Sequence, residues 1–144
     1  MVDNPPAGCQ RVVPYLMYAD APAALKFLCE AFGFEEKLRM DGPDGTIGHA
    51  EVGYQDNLVM LATAVADMGH ASPKDLPGRH AGLLCYVDDV DAHFVHAQAA
   101  GANILSEPED KFYGDRMYAA ADPEGHQWWF ATHVKDVAPE DMHP

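Results

Sequence analysis

The sequence repeats itself once, and this internal repeat limits the possible folds more than any other feature. When the 144-residue chain is laid over itself with a shift of 68 residues, identical residues recur in the same order in both halves. The aligned identities are Tyr18 with Tyr86, Asp20 with Asp88, Ala24 with Ala92, Ala31 with Ala99, and Gly33 with Gly101. The repeat predicts two copies of one supersecondary unit within the chain.

Each copy opens with the signals of a strand followed by a helix. An apolar run of β type, Val12–Tyr18 in the first copy and Ala81–Val87 in the second, leads to an aspartate suited to cap a helix. An alanine-rich segment follows, with apolar residues at helical spacing, and it stops at a glycine suited to the left-handed position after a helix. Both copies are therefore predicted to start as strand and helix.

After each glycine the apolar period changes from 3.6 residues to 2, which predicts three strands in each copy. The expected strands are Phe34–Met40, Ile47–Tyr54 and Leu58–Thr63 in the first copy, and Asn103–Ser106, Asp115–Ala121 and His126–His133 in the second. Turn residues separate them, including Asp122-Pro123-Glu124-Gly125 before the last strand. The predicted order is strand, helix, strand, strand, strand, twice.

The fold class predicted from this order is α+β, built as two tandem βαβββ modules. We expect a single domain, 1–144, in which residues 11–63 form the first module, 64–79 a linker, 80–133 the second module and 134–144 a tail. One helix covers only one face of a sheet, so a second copy can cover the other. Two such sheets side by side leave a concave cleft, where we expect the functional site.

Several motifs resemble those of the vicinal oxygen chelate superfamily, which includes glyoxalase I, extradiol dioxygenases, fosfomycin-modifying enzymes and bleomycin-resistance proteins. They are Val13-Pro14-Tyr15-Leu16, Ala31-Phe32-Gly33-Phe34, Gly48-His49-Ala50-Glu51, Tyr113-Gly114-Asp115-Arg116 and Asp122-Pro123-Glu124-Gly125-His126. The elements Gly48-His49-Ala50-Glu51 and Tyr113-Gly114-Asp115-Arg116 resemble the glyoxalase-like, PhnB-type branch. The resemblance spans about Val12 to His133 and implies a curved mixed sheet around a concave cleft, and a homodimer. It does not by itself decide the reaction.

Members of this superfamily typically bind a divalent metal with His and Glu from the first and last strands of each module. Matching by landmarks places these positions at Val13 or Pro14, Met60 or Leu61, Ala81 or Gly82, and Trp128 or Trp129. None of these side chains offers a nitrogen or oxygen lone pair. We therefore expect no metal and no other cofactor at the usual site. A displaced site stays open, because the chain has 8 His and one of them, His80, lies near a ligand position.

The adjacent tryptophans Trp128 and Trp129 must point to opposite faces of their strand, so one of them faces the cleft. An indole in a cleft is a stacking surface for a planar or cationic ligand. Tyr15, Met60 and Tyr113 are candidates to extend this apolar wall as ligand-binding residues. For each residue taken singly, core packing is the alternative.

Three further residues carry polar chemistry. His49 and Glu51 alternate onto the same face of a strand, which suits a general acid–base pair in a dry cleft. The alternative is a solvated strand face with an incidental ion pair. Arg116 is suited either to clamp a carboxylate or phosphonate of a ligand, or to pair with Asp115 or Asp122 and hold its loop.

Charge and cysteine content exclude other classes of function. The chain has 9 Lys and Arg against 23 Asp and Glu, a formal net charge of −14, which repels nucleic acid and anionic membrane surfaces. No apolar run is long enough to span a bilayer, and residues 1–10 have no basic segment followed by an apolar one, so we expect no secretion signal. The 3 cysteines form no Cys-x-x-Cys pair and are typical of a reduced, cytoplasmic protein.

The expected function is that of a glyoxalase/bleomycin-resistance-like protein, which binds a small organic ligand in the cleft between its modules without the usual catalytic metal. The alternative is a lyase or isomerase of the same superfamily that uses a displaced metal or acid–base chemistry by His49 and Glu51. A third hypothesis is an interaction module whose cleft is a subunit interface.

Overall fold

A computed structural model describes residues 2–144, which form two compact units. The first unit extends to Gly78, and the second runs from Arg79 to Pro144. Each unit contains one α-helix and one four-stranded mixed sheet in the order strand, helix, strand, strand, strand. The predicted α+β class and the two βαβββ modules are therefore confirmed.

The first module consists of β1 (Tyr15–Tyr18), α1 (Ala21–Phe32), β2 (Glu35–Asp41), β3 (Ile47–Tyr54) and β4 (Asn57–Thr63). Its strands lie in the order β1-β4-β3-β2. The outer strand β1 runs parallel to β4, whereas the other neighbours are antiparallel. The last strand of the module therefore lies inside the sheet, next to the first.

The second module has the same design, with β5 (Gly82–Tyr86), α2 (Val90–Ala99), β6 (Asn103–Asp110), β7 (Asp115–Ala121) and β8 (Gln127–His133). The strand order is β5-β8-β7-β6, and β5 is parallel to β8. The two modules thus share both topology and strand directions.

Each helix is capped by an aspartate, as predicted. Asp20 accepts a hydrogen bond from the backbone N–H of Ala23 at 3.2 Å, and α1 ends at Gly33 with a φ of 82°. Asp89, one residue beyond the predicted Asp88, caps α2 and accepts from Ala92 at 3.0 Å. Neither these helices nor any other among residues 2–144 is long and apolar enough to cross a membrane.

Strand β6 is longer than predicted. The sequence indicates a strand over Asn103–Ser106 followed by a loop, whereas β6 continues through Pro108 to Asp110. Proline removes a backbone donor, which an edge strand tolerates better than a central one. Since β6 is an edge strand with irregular pairing to β7 on both sides of Ser106, it accommodates the proline.

The core of each module lies between its helix and one face of its sheet. In the second module, Trp128 and Phe130 lie in parallel planes with ring centroids 6.1 Å apart, and Phe130 lies 4.3 Å from the ring of His93 on α2. The buried side chains on the α1 side of the first sheet are Leu16, Tyr18, Ala50, Val52, Val59 and Leu61. Tight packing on this side makes each module a unit with its own core.

The opposite side of each sheet carries no helix of its own module, and we call it the helix-distal face. In the first module it carries Tyr15, Met17, Leu38, Met40, His49, Glu51, Met60 and Ala62. In the second module it carries Leu84, Tyr86, Asp115, Met117, Ala119, Trp129, Ala131 and His133. These two faces hold most of the side chains predicted to carry function.

The two copies correspond with a shift of 69 residues, not 68, in their first strands. The shift of 68 aligns Tyr18, which is fully buried, with Tyr86, which is 56% exposed. A shift of 69 aligns Tyr15 with Leu84 and places both on helix-distal faces. Because successive strand residues point to opposite faces, an error of one residue exchanges core and surface positions.

Candidate functional site

The pairing of the strands assembles one row of side chains across the helix-distal face of the first module. Tyr15 on β1 lies beside Met60 on β4, Met60 lies beside Glu51 on β3, and Glu51 lies beside Leu38 on β2. His49 lies in the adjacent row. Of the residues predicted to carry function, the sheet therefore brings Tyr15, Met60, His49 and Glu51 together.

A chain of hydrogen bonds joins three of these residues. The Tyr15 hydroxyl lies 2.7 Å from Nδ1 of His49, and Nε2 of His49 lies 2.8 Å from Oε2 of Glu51. An ionised carboxylate only accepts, so Nε2 carries the proton that it donates to Glu51. In the neutral imidazole Nδ1 then accepts from the Tyr15 hydroxyl. Both ring nitrogens of His49 are therefore oriented by a partner.

The electrostatics keep Tyr15 in its protonated form. Burial, and then the nearby negative charge of Glu51, raise the pKa of Tyr15 above its ordinary value. The phenol therefore stays a hydrogen-bond donor to His49 at neutral pH. The side chains of His49 and Glu51 are 24% and 20% exposed, so these hydrogen-bonded groups lie near the surface and within reach of a bound molecule.

The arrangement is suited to two tasks. It is able to fix a polar group of a ligand against an apolar surface, because Met60 separates Tyr15 from Glu51 in the same row. It is also able to move a proton between the phenol and the carboxylate through the imidazole, which is the geometry expected of acid–base chemistry.

The second module holds a polar cluster that we did not predict. Asp115, only 4% exposed, accepts from the Tyr86 hydroxyl at 2.8 Å and contacts Nδ1 of His133 at 2.7 Å. Nε2 of His133 lies 2.7 Å from Asp136 in the segment after β8. These hydrogen bonds raise the pKa of His133, with the bond to Asp115 contributing most. The only sequence signal was Asp115 itself, which we considered as a partner of Arg116.

The two tryptophans point to opposite faces, as their alternation predicts. Trp128 is 1% exposed in the helix-side core, and its indole N–H donates to Asp122 at 3.3 Å. Trp129 lies on the helix-distal face with its ring over Gly82. A Cβ at Gly82 would lie 2.3 Å from Cζ3 of Trp129, so the absence of a side chain there leaves room for the indole.

Arg116 points to the helix side of its sheet, away from the helix-distal face of the second module. Its Nε lies 3.1 Å from both carboxylate oxygens of Asp91 on α2, and its other contact is with Asp110 on β6 at 3.2 Å. It pairs with neither Asp115 nor Asp122, the partners considered from the sequence. The arginine therefore fastens α2 to β6.

Tyr113 lies in the turn before β7. Its hydroxyl points to the sulfur of Met117 at 3.6 Å, and its ring lies edge-on to Phe112 with centroids 5.1 Å apart. Because Met117 belongs to the helix-distal face of the second module, Tyr113 borders that face.

Comparison with known families identifies the fold. Residues 10–130 match the family described as Glyoxalase/Bleomycin resistance protein/Dioxygenase superfamily. The chain belongs to this superfamily. Its relatives include an uncharacterised protein of Mycobacterium bovis, 36% identical over 132 residues that cover 90% of this chain and 87% of the relative.

Two solved structures of the superfamily fold are also similar. TioX from Micromonospora sp. ML1 is 34% identical with a TM-score of 0.68, covering 87% of this chain and 99% of TioX. TnmS3, an antibiotic-binding protein from Streptomyces sp. CB03234, is 24% identical with a TM-score of 0.66. The match covers 85% of this chain and 93% of TnmS3, and at this identity it shows the fold alone.

The side chains at the superfamily's usual metal positions do not fit a metal. The matched positions on β4 are Met60 and Leu61, those on β8 are Trp128 and Trp129, and none is a ligand for a hard divalent ion. Among residues 2–144 no group of three or more His, Cys, Asp or Glu is arranged to hold a metal ion. The expectation of a metal-free site stays a prediction.

Proposed function

We propose that this superfamily member binds a small organic molecule on the helix-distal face of its first module, without the superfamily's usual metal. The observation that carries the proposal is the Tyr15–His49–Glu51 chain of hydrogen bonds, which lies beside Met60 and Met40 on this face. Ligand sites typically combine an apolar wall with a few oriented polar groups. Methionine adapts to ligand shape and contacts aromatic rings favourably.

The superfamily supports the binding role. TnmS3 is an antibiotic-binding protein that has the same fold, so this fold is able to hold a small organic molecule. We propose Tyr15 and Met60 as its contacts, whereas ligand contacts by Trp129 and Tyr113 of the second module stay predictions. The predicted cleft between the modules stays a prediction. Contacts by Trp128 and Arg116 also stay predictions, and would require those side chains to leave their present partners.

A ligand screen tests the binding role. Thermal unfolding is followed with a panel of aromatic natural products that includes bleomycin, and each compound that raises Tm is measured by isothermal titration calorimetry. We expect Met60→Ala to weaken binding by roughly tenfold, equivalent to about 1.4 kcal/mol. Met68→Ala is the matched control, because Met68 is 68% exposed in the segment between the modules. No stabilising compound, or an equal loss in both variants, would contradict the proposal.

The second candidate function is an acid–base lyase or isomerase. It is favoured by the placement of His49 between a phenol and a carboxylate, since a general base needs an oriented imidazole. With a ligand from the screen as substrate, we expect His49→Gln to abolish turnover and to leave Tm nearly unchanged. If the wild-type protein binds the compound but never converts it, the enzyme hypothesis is rejected and the binding function is kept.

The metal-free site is tested on untagged protein. We expect less than one transition metal per chain by mass spectrometry, and no change of Tm with EDTA, Ni²⁺, Mn²⁺, Fe²⁺ or Zn²⁺. One tightly held metal per chain, with stability lost to EDTA, would instead restore an enzyme with a displaced site.

Cytoplasmic location and a homodimer belong to this proposal as well. The dimer follows from the resemblance to single-chain, two-module members of the superfamily, and light scattering after size exclusion measures it directly. A monomer at all concentrations would remove the dimer from the proposal and leave ligand binding untouched.

A further inference from the structure

The Tyr15–His49–Glu51 chain offers acceptors and no spare donor to a ligand. The hydroxyl proton of Tyr15 is directed to His49, and the Nε2 proton of His49 is directed to Glu51. What is left is a lone pair on the Tyr15 oxygen and the second carboxylate oxygen of Glu51, because among residues 2–144 the contact of Glu51 is made by Oε2. A complementary ligand must therefore donate hydrogen bonds.

The surrounding charges also favour a donor that is positively charged. Both basic residues of the adjoining strand β2 are already paired, Lys37 with Glu35 at 3.1 Å and Arg39 with Asp41 at 2.7 Å. Arg116, considered from the sequence as a clamp for anions, is held between Asp91 and Asp110 in the other module. The whole chain carries a formal net charge of −14. Glu51 would repel an anionic ligand, and β2, which the structure describes in full, has no unpaired Lys or Arg to offset that repulsion.

The apolar part of the face suits the body of such a ligand. Met60 lies between Tyr15 and Glu51, and the neighbouring strand adds Leu38 and Met40, which are 42% and 54% exposed. The rings of Tyr15 and His49 lie with centroids 5.5 Å apart. Aromatic faces and thioethers attract organic cations and aromatic rings.

We infer that this site selects an organic cation, a protonated amine or amidine on an aromatic or aliphatic body, over a carboxylate or phosphate of the same shape. The selecting groups are the carboxylate of Glu51 and the oxygen of Tyr15, and Met60 supports the apolar body. This inference rests on the proposed binding function and names the class of ligand.

Three indole compounds of nearly the same size test the inference. Tryptamine carries an ammonium group, tryptophol a hydroxyl and indole-3-acetate a carboxylate, and each is titrated into the wild-type protein at neutral pH by calorimetry or ligand-observed NMR. We expect the affinity to fall in that order, with tryptamine roughly tenfold tighter than indole-3-acetate.

Two charge-matched variants separate the site from the net charge of the protein. Glu51→Gln should remove the preference for tryptamine while tryptophol binds almost as before. Glu35→Gln removes one negative charge from the same sheet, where the carboxylate pairs with Lys37, and should leave the preference intact. If both variants reduce the preference equally, net charge and not this site is responsible, and the inference is overturned.

The remaining outcomes are also decisive. Binding of indole-3-acetate as tight as that of tryptamine overturns the inference and leaves the proposed function standing. Binding of none of the three compounds counts against both. Because Glu51→Gln could disturb folding, Tyr15→Phe is measured as well. It removes the second acceptor and should weaken tryptamine more than indole-3-acetate.

Discussion

The helix-distal faces of the two modules occupy equivalent backbone positions but differ in chemistry. Tyr15 and Met60 in the first module correspond to Leu84 and Trp129 in the second, and each pair lies side by side on parallel strands. The centre of the first face is polar, with a carboxylate and an imidazole. The centre of the second face is apolar and dominated by an indole.

In the second module the polar groups lie at the end of the sheet instead. Tyr86, Asp115 and His133 are linked there, and His133 reaches Asp136 beyond the last strand. Since Asp115 is buried and accepts from partners on β5 and β8, this cluster fastens strands and tail. Core packing against the helix constrains one side of each sheet, whereas the helix-distal side carries different side chains in the two modules.

The largest expected effect separates the two tryptophans and tests the register of the repeat. Trp128→Ala should lower the free energy of unfolding by about 3–5 kcal/mol, because it empties a buried site. Trp129→Ala removes the same number of atoms from the helix-distal face and should cost clearly less. Chemical denaturation measures both, and equal losses would argue that the two indoles share one core.

The two tyrosine hydroxyls should differ in their contribution to stability. Tyr86→Phe removes a hydrogen bond to the buried carboxylate of Asp115 and should cost about 1–3 kcal/mol. Tyr15→Phe removes a hydrogen bond to the His49 ring, which is 24% exposed and so more open to water than Asp115, and we expect a loss of less than about 1 kcal/mol. A larger loss from Tyr15→Phe in chemical denaturation would reverse the assignment of structural and functional clusters.

His133 should make the stability of the second module depend on pH. Its hydrogen bonds raise the pKa above the ordinary histidine value of 6.5, so the folded state binds the proton more tightly than the unfolded chain. The stabilisation from these hydrogen bonds is fully present below pH 6.5. It is lost as the pH rises through the higher pKa that His133 has in the folded protein. We expect the Tm difference between wild type and His133→Gln to shrink over this range.

The NMR titration of the His133 ring provides the direct measurement. Its midpoint should lie above 6.5 in the wild type and should fall in Asp136→Asn, which removes one of the two carboxylates. An unchanged midpoint in Asp136→Asn would mean that the contact between His133 and Asp136 does not form in solution.

The smallest expected effect concerns Cys85, which the shift of 69 residues aligns with the buried Leu16 of the first module. Burial raises the pKa of the Cys85 thiol to about 11, so little thiolate is present at mildly alkaline pH. Iodoacetamide should leave Cys85 unmodified in the folded protein, as peptide mass spectrometry will show. The urea-unfolded protein is the control, and all three cysteines should react there.

Local signals in the sequence were enough to predict the elements of the fold. Asp20 and Gly33 mark the two ends of α1 because a capping carboxylate and a left-handed glycine act within a few residues of the helix. Alternating apolar residues predict β3 as Ile47–Tyr54 and β7 as Asp115–Ala121, with the bounds that the structure has. The pairing of His49 with Glu51 follows from the same alternation.

Only the tertiary structure decided which faces and partners those elements present. The Tyr15 hydroxyl meets His49 across 34 residues of sequence, and the Tyr86 hydroxyl meets Asp115 across 29. Such contacts depend on strand order and pairing register, and a shift of one residue exchanges the faces of a strand. Identical residues in the two repeats do not show whether the shift between the first strands is 68 or 69 residues, because loop lengths differ freely between the copies. The packing of side chains against each helix does show the shift, because it fixes which strand residues are buried.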